Sequence, residues 1–420
     1  MKLYPHQIEA LEQTKDMNRV AYYHDMGLGK TFTGAEKMYR LDAKVNLVIC
    51  QKSKIDDWVQ HFKTHYQSYD VYNLTKKVEF EQFICGCEQR VGVINYELSF
   101  RRKELIQLHN FTLMLDESSL IQNDKAKRSK FILKMDASNV ILLSGTPTSG
   151  KYENLWSQVH LLGWDIKKTT YDRQYINWIN MNFGGFIHKV VDKKNPYKNV
   201  ERLKQKMREH GAVFMKTEEC FELPDQTFIN VKVPTSKEYR KFKRDSIITI
   251  NDYEFVGDTS LTKMLYMRMI CGHLNKAKLD AFKELAESTN DRLIVFYNFN
   301  DELKELKRIA EELEKPISEV NGNVKDLTAY EHENDSITFV QYQAGAMGLN
   351  LQKANKIVYF TLPLSSELFE QSKKRTHRIG QTNTCFYYTM ICEKSIEENI
   401  LETLEKRKDF TDELFKQSIR

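Results

Sequence analysis

The segment His24-Asp25-Met26-Gly27-Leu28-Gly29-Lys30-Thr31 carries the residue types that hold a polyphosphate. Glycines let backbone amides approach phosphate oxygens. A lysine after them supplies charge for the β and γ groups, and a threonine hydroxyl can ligate magnesium. The loop Met26-Gly27-Leu28-Gly29 is therefore assigned the nucleotide, Lys30 its terminal phosphates and Thr31 the metal. Where the full loop pattern has its first glycine, His24 stands instead, leaving the shorter GxGKT core. A second constellation follows the apolar run FTLML, which ends in Asp116 and Glu117. An aspartate there can hold the magnesium shell, and a glutamate beside it can orient and polarise an attacking water. A third, LLSGTP, puts the small hydroxyls Ser144 and Thr146 at the end of another apolar run.

These groups need a scaffold that brings strand ends together. Val20–His24, Val45–Gln51, Arg90–Tyr96, Phe111–Asp116 and Asn139–Ser144 read as buried strands, with helix-length segments such as Lys54–His65 and Lys125–Met135 between them. Such alternation predicts an α/β fold, a parallel sheet with helices on both faces, whose ligands gather at the carboxyl ends of the strands. The second half repeats the scheme through RLIVFYNF, SITFVQYQ, KIVYFTLPL and CFYYTMIC, with helices at Asp301–Lys315 and Ser366–His377 and a helical end from Ser395. Pro224 and a strand at Thr227–Val233 mark the expected boundary. That gives a first domain over 1–223, with an insertion over about 150–223, and a second over 224–420.

Composition narrows the field. The 420 residues are 41% hydrophobic and 29% charged, with a formal net charge of +5, which suits a soluble chain with local rather than global basic character. No apolar run approaches a membrane span, and the start has no export pattern, so a cytoplasmic location is expected. The seven cysteines are scattered without matched metal-ligand spacing and read as reduced thiols.

The order DMGLGKT, DESS, SGTP, QAGAMGLNLQKA and QSKKRTHRIGQ resembles the superfamily-two helicases, and the last two look like the Swi/Snf-type DNA translocases. The compact chain is similar to phage-encoded and prokaryotic members and to the annealing-helicase branch, whose acidic motif also begins Asp-Glu-Ser. The resemblance implies two RecA-like lobes with ATP and Mg2+ bound between them, and double-stranded DNA contacted without sequence preference. It implies that Gln7 reads adenine. Lys52, Ser53, Asn95, Ser144, Thr146, Gln343, Ala344 and Asn350 would contact DNA. Gly348 and Gln371 would sit at the nucleotide, and Arg375 and Arg378 would reach the γ-phosphate. It further implies translocation with remodelling, branch migration or annealing. The alternatives are a helicase unwinding single-stranded DNA or RNA substrates, and a low-turnover clamp. Ser119 stands where many relatives have histidine, which puts the coupling of hydrolysis to DNA in question. The aromatic, lysine-rich stretch from Tyr171 to Tyr197 is read as an insertion packing its own small core, with DNA contact as the other reading.

Overall fold

The computed structural model describes residues 2–183, 186–250, 253–345 and 349–415. By internal contacts the chain divides into Met1–Cys220 with the end of the chain from Asp409, and Phe221–Lys408.

The first unit holds β1 (Arg19–His24), β2 (Val45–Cys50), β3 (Asp70–Asn73), β4 (Arg90–Asn95), β5 (Phe111–Asp116), β6 (Asn139–Leu143), β7 (Trp178–Phe183), β8 (Phe186–Val191) and β9 (Ala212–Met215). Seven of these form one sheet in the order β3-β4-β2-β5-β6-β1-β9, and every neighbouring pair is parallel. The central strands are continuous apolar runs because helices cover both of their faces, so neither face needs polar side chains. All the strands read from the sequence are present. The edge strands β3 and β9 are four residues each, too short to show a pattern. Helix Lys125–Met135 is shorter than expected, at Lys127–Ile132.

The insertion between β6 and β9 contains the antiparallel hairpin β7–β8. At its base the hairpin joins the core of the first unit instead of a small core of its own. Trp178, Val191 and Tyr197 pack against the first-unit core, and the Tyr197 ring stacks on Tyr152 with centroids 4.3 Å apart. Farther out the reading of a packed insertion fails, since Phe186 is 73% and Ile187 74% exposed.

The second unit holds β10 (Gln226–Val233), β11 (Ile247–Ile250), β12 (Tyr253–Val256), β13 (Leu293–Tyr297), β14 (Ile317–Val320), β15 (Lys325–Asp326), β16 (Ile337–Gln341), β17 (Lys356–Tyr359) and β18 (Cys385–Cys392). Its sheet runs β10-β18-β17-β13-β16-β14-β15, parallel except at β14–β15. Alternation along β13 sends Ile294 and Phe296 to one core and Leu293, Val295 and Tyr297 to the other, so both faces are buried.

The ligand atoms of Cys271, Cys392 and Glu397 lie within 4.8 Å of one another. The buried Lys278 ammonium already fills the cationic role there, 2.6 Å from Glu397 Oε1. Among the described residues no helix is long and apolar enough to cross a membrane.

Candidate functional site

In the first sheet β5, β6 and β1 are consecutive, so their carboxyl ends lie side by side at one edge. The chain leaves β1 at His24 and turns through Gly27 (φ 91°) and Gly29 (φ 70°) into helix Lys30–Arg40. Glycine suits position 29: the backbone there is left-handed, and a Cβ would fall 2.4 Å from Gln7 Nε2 and displace that amide.

Gln7 is itself occupied with the loop. Its Nε2 donates to the carbonyls of Leu28 and Gly29, both at 3.1 Å, and its Oε1 accepts from the Tyr4 amide at 2.9 Å. His6 Nε2 lies 3.0 Å from the same Leu28 carbonyl. The two residues therefore hold the main chain of the loop at Leu28 and Gly29, a positioning role the sequence did not signal because it lies in side-chain to main-chain contacts across 21 and 22 residues. The Lys30 ammonium is folded back on the His24 carbonyl at 3.0 Å.

His24 is fully buried, and neither ring nitrogen has a hydrogen-bond partner among the described residues. Burial first, then the charges of Lys30 and His6, lowers its pKa to about 3, so the ring stays neutral beneath the loop.

Asp116 and Glu117 are held from several sides. Trp58 donates its indole N–H to Asp116 Oδ2 at 2.9 Å. Burial raises the Asp116 pKa, opposed by the Trp58 hydrogen bond and by the charges of Lys30 and Lys54. The Tyr96 hydroxyl, completely buried, donates to the Asp116 carbonyl at 2.8 Å. Glu117 adopts φ 52°, ψ 61°, a left-handed conformation that costs a non-glycine residue about 1 kcal/mol or more. Its carboxylate accepts from Ser144 Oγ at 3.4 Å, and Ser144 Oγ accepts in turn from the Thr146 amide at 3.2 Å. Gln158 completes the link, accepting from Ser118 Oγ at 2.8 Å and donating to the Pro147 carbonyl at 2.7 Å. Gly145 sits so near the loop that a Cβ on it would meet Lys30 Nζ at 3.4 Å. Three motifs separated in sequence thus become one polar cluster around Lys30, Glu117 and Ser144. Thr31 hydroxyl and Asp116 carboxylate are the oxygen donors a hard divalent cation takes, so the residues fit magnesium.

The residues expected on DNA divide by exposure. Lys52 and Ser53 are exposed just after β2. Asn95 is only 7% exposed, with its amide donating to Glu97 Oε2 at 3.0 Å, and Ser144 and Thr146 are buried. Buried Ser144 serves Glu117, which corrects the expectation of direct DNA contact from its side chain.

In the second unit Gln343 is exposed, while Ala344 is 1% exposed within the core. Its methyl offers DNA no surface, a second correction. Gly348 lies outside the described residues. Asn350 Oδ1 accepts from the Arg378 guanidinium, and the Leu351 amide donates to the Arg375 carbonyl at 3.0 Å. Gln381 clamps the same segment, donating to the carbonyls of Gln352 (3.1 Å) and Ala354 (2.9 Å). Arg375 is 5% exposed, and burial lowers the Arg378 pKa. Gln371 donates to Glu367 Oε1 at 3.3 Å. Lys373 is buried over the Phe369 ring, 4.0 Å from its centroid.

Residues 11–277 match the SNF2-related domain, and residues 277–380 match the helicase conserved C-terminal domain. The chain is 23% identical over 433 residues to the SWI/SNF-related matrix-associated actin-dependent regulator of chromatin subfamily A member 1 of Mus musculus, covering 91% of this chain and 40% of that protein. It is also 23% identical over 435 residues to the putative ATP-dependent helicase/translocase YwqA of Bacillus subtilis, covering 93% of this chain and 46% of that protein. Among solved structures it is similar to the Sulfolobus solfataricus SWI2/SNF2 ATPase core in complex with dsDNA, with 20% identity and a TM-score of 0.46 over 100% of this chain and 94% of that one. The chain spans less than half the length of these curated relatives. With the SNF2-related domain matched over most of its length and the helicase C-terminal domain directly after it, the chain belongs to the SNF2-related family.

Proposed function

We propose that this chain is a DNA-dependent ATPase that translocates along double-stranded DNA, hydrolysing ATP to ADP and phosphate. The observation that carries the ATPase reading is the convergence of Lys30, Asp116, Glu117 and Ser144 at the carboxyl ends of β1, β5 and β6. Amides of the loop Met26–Gly29 bind the phosphates, and Lys30 exchanges its carbonyl partners for the terminal phosphate oxygens. Magnesium, when bound, neutralises charge on the β and γ oxygens, and Thr31 and Asp116 are the residues to hold it. Glu117 orients the attacking water, with Ser144 fixing its carboxylate. Arg375 and Arg378 stabilise charge on the transferring group, with Gln371 beside them. Asn350 holds Arg378 before that step, so a DNA contact made by Asn350 biases the arginine directly. Lys52, Ser53 and Gln343 supply sequence-independent phosphate contacts.

Family membership and the translocase named among the relatives support motion on duplex DNA. Remodelling, branch migration or strand annealing is the finer activity proposed. ATP turnover measured with duplex DNA, single-stranded DNA, RNA and no nucleic acid tests the reading, together with displacement of a third strand from a triplex. Duplex should stimulate most and the third strand should be released only with ATP. Equal rates with duplex and without nucleic acid would sink the proposal, and stronger activation by single strands would favour unwinding.

A further inference from the structure

The β7–β8 hairpin has features that neither the ATP site nor the core explains. Its base is rooted: Trp178 and Val191 pack against the first-unit core, and the Asp192 amide donates to the Asn177 carbonyl at 2.9 Å. Cross-strand pairs share a face, so Ile179 with Val190 and Met181 with His188 form one largely apolar side that runs out to Phe186. Ile179 and Met181 are each 40% exposed, while Phe186 on that face and Ile187 on the other reach 73% and 74%. A two-stranded hairpin has little stability of its own, so large apolar side chains held out in water are a feature to be explained by a partner.

Charge says which partner. From Trp178 to Lys198 the chain carries four lysines, at 189, 193, 194 and 198, against one acid, Asp192. All four lysines are exposed, and the Asp192 carboxylate is turned to the Lys194 amide at 2.9 Å. A second copy seated face to face would set lysines against lysines, whereas a polyanion satisfies them. We propose that this hairpin is a DNA wedge. Phe186 and Ile187 enter the minor groove and loosen the base stack, while Lys189, Lys194 and Lys198 hold the flanking phosphates. This rests on the duplex-translocase reading above and adds a site on the duplex separate from the ATP chemistry.

The test uses the full chain and a duplex with 2-aminopurine at internal positions. For the wild type, fluorescence should rise on binding as the stack opens. Phe186→Ser/Ile187→Ser should abolish that rise and increase the duplex concentration for half-maximal ATPase stimulation about tenfold. Turnover without DNA should not change. Lys189→Ala/Lys194→Ala/Lys198→Ala should flatten the plot of log affinity against log salt by about 2.7. Unchanged fluorescence, half-saturation and salt slope in both variants would overturn the wedge. So would a changed sedimentation coefficient with an intact duplex response, which would assign the face to a second copy. A wild type that duplex does not stimulate defeats the underlying reading before any variant is compared.

Discussion

Trp58 shows how much the proposed ATP site depends on side chains outside the motifs. Its indole N–H fixes one oxygen of Asp116, and on the role proposed for Asp116 the other is left for the metal shell. Partners of this kind typically change metal affinity 10- to 100-fold, so Trp58→Phe should raise the magnesium concentration for half-maximal ATPase by about tenfold. Binding of a fluorescent ATP analogue without magnesium should be unaffected, and an unchanged magnesium requirement would remove Trp58 from the site. Substitutions at Glu117 and Arg378 test the proposed chemistry itself. Glu117→Gln should lower turnover by roughly 10²-fold or more, and Arg378→Ala by roughly 10³-fold, with ATP still bound in both. Single-turnover hydrolysis and equilibrium nucleotide binding separate those effects. If Glu117→Gln turns over as the wild type does, the protein is a slow clamp.

At the scale of one element, helix Asn300–Glu312 begins with a buried acid that holds the end of β13. Glu302 accepts from the amides of Asn298 (2.9 Å) and Phe299 (3.1 Å) and from the Thr361 hydroxyl (2.9 Å). Its other oxygen has no partner among the described residues, and burial raises its pKa from 4.5 to about 7, against the pull of those hydrogen bonds and of Lys278. A raised folded pKa means the folded chain binds the proton more tightly than the unfolded one. The resulting stabilisation is complete below about pH 4.5 and is lost as pH rises through about 7. Glu302→Gln keeps the accepting oxygen and cannot ionise. Its melting temperature relative to wild type should therefore climb between pH 5 and pH 8, by the equivalent of roughly 1–3 kcal/mol. Thermal melts at both pH values check this, and a difference independent of pH would mean the carboxyl is not held protonated.

For the whole molecule, the mild net charge of +5 hides local basic surface, at Lys52 after β2 and along the β7–β8 hairpin. Contacts of this kind are made to phosphate, so duplex affinity should fall at least tenfold between about 50 and about 200 mM salt without depending on base sequence. Competition between duplexes of different composition across a salt series measures both. A flat salt response would mean that binding does not run through the backbone.

The sequence by itself determined the parallel sheets and singled out the candidate reactive groups. Long apolar strands and glycine-flanked turns are local signals, and Gly29, Lys30, Asp116 and Glu117 stand out as candidates by type and order. The family resemblance was equally legible, because its motifs are short and contiguous. Tertiary structure alone decided the partnerships. Gln7 on the glycine loop, Trp58 on Asp116 and Asn350 on Arg378 join residues 21 to 58 positions apart. No local pattern encodes such pairs, since they depend on which strand ends and turns meet. Exposure was hidden for the same reason: alternation tells that Phe186 and its neighbours share a face, but only the packed chain shows that nothing within the described protein covers Phe186.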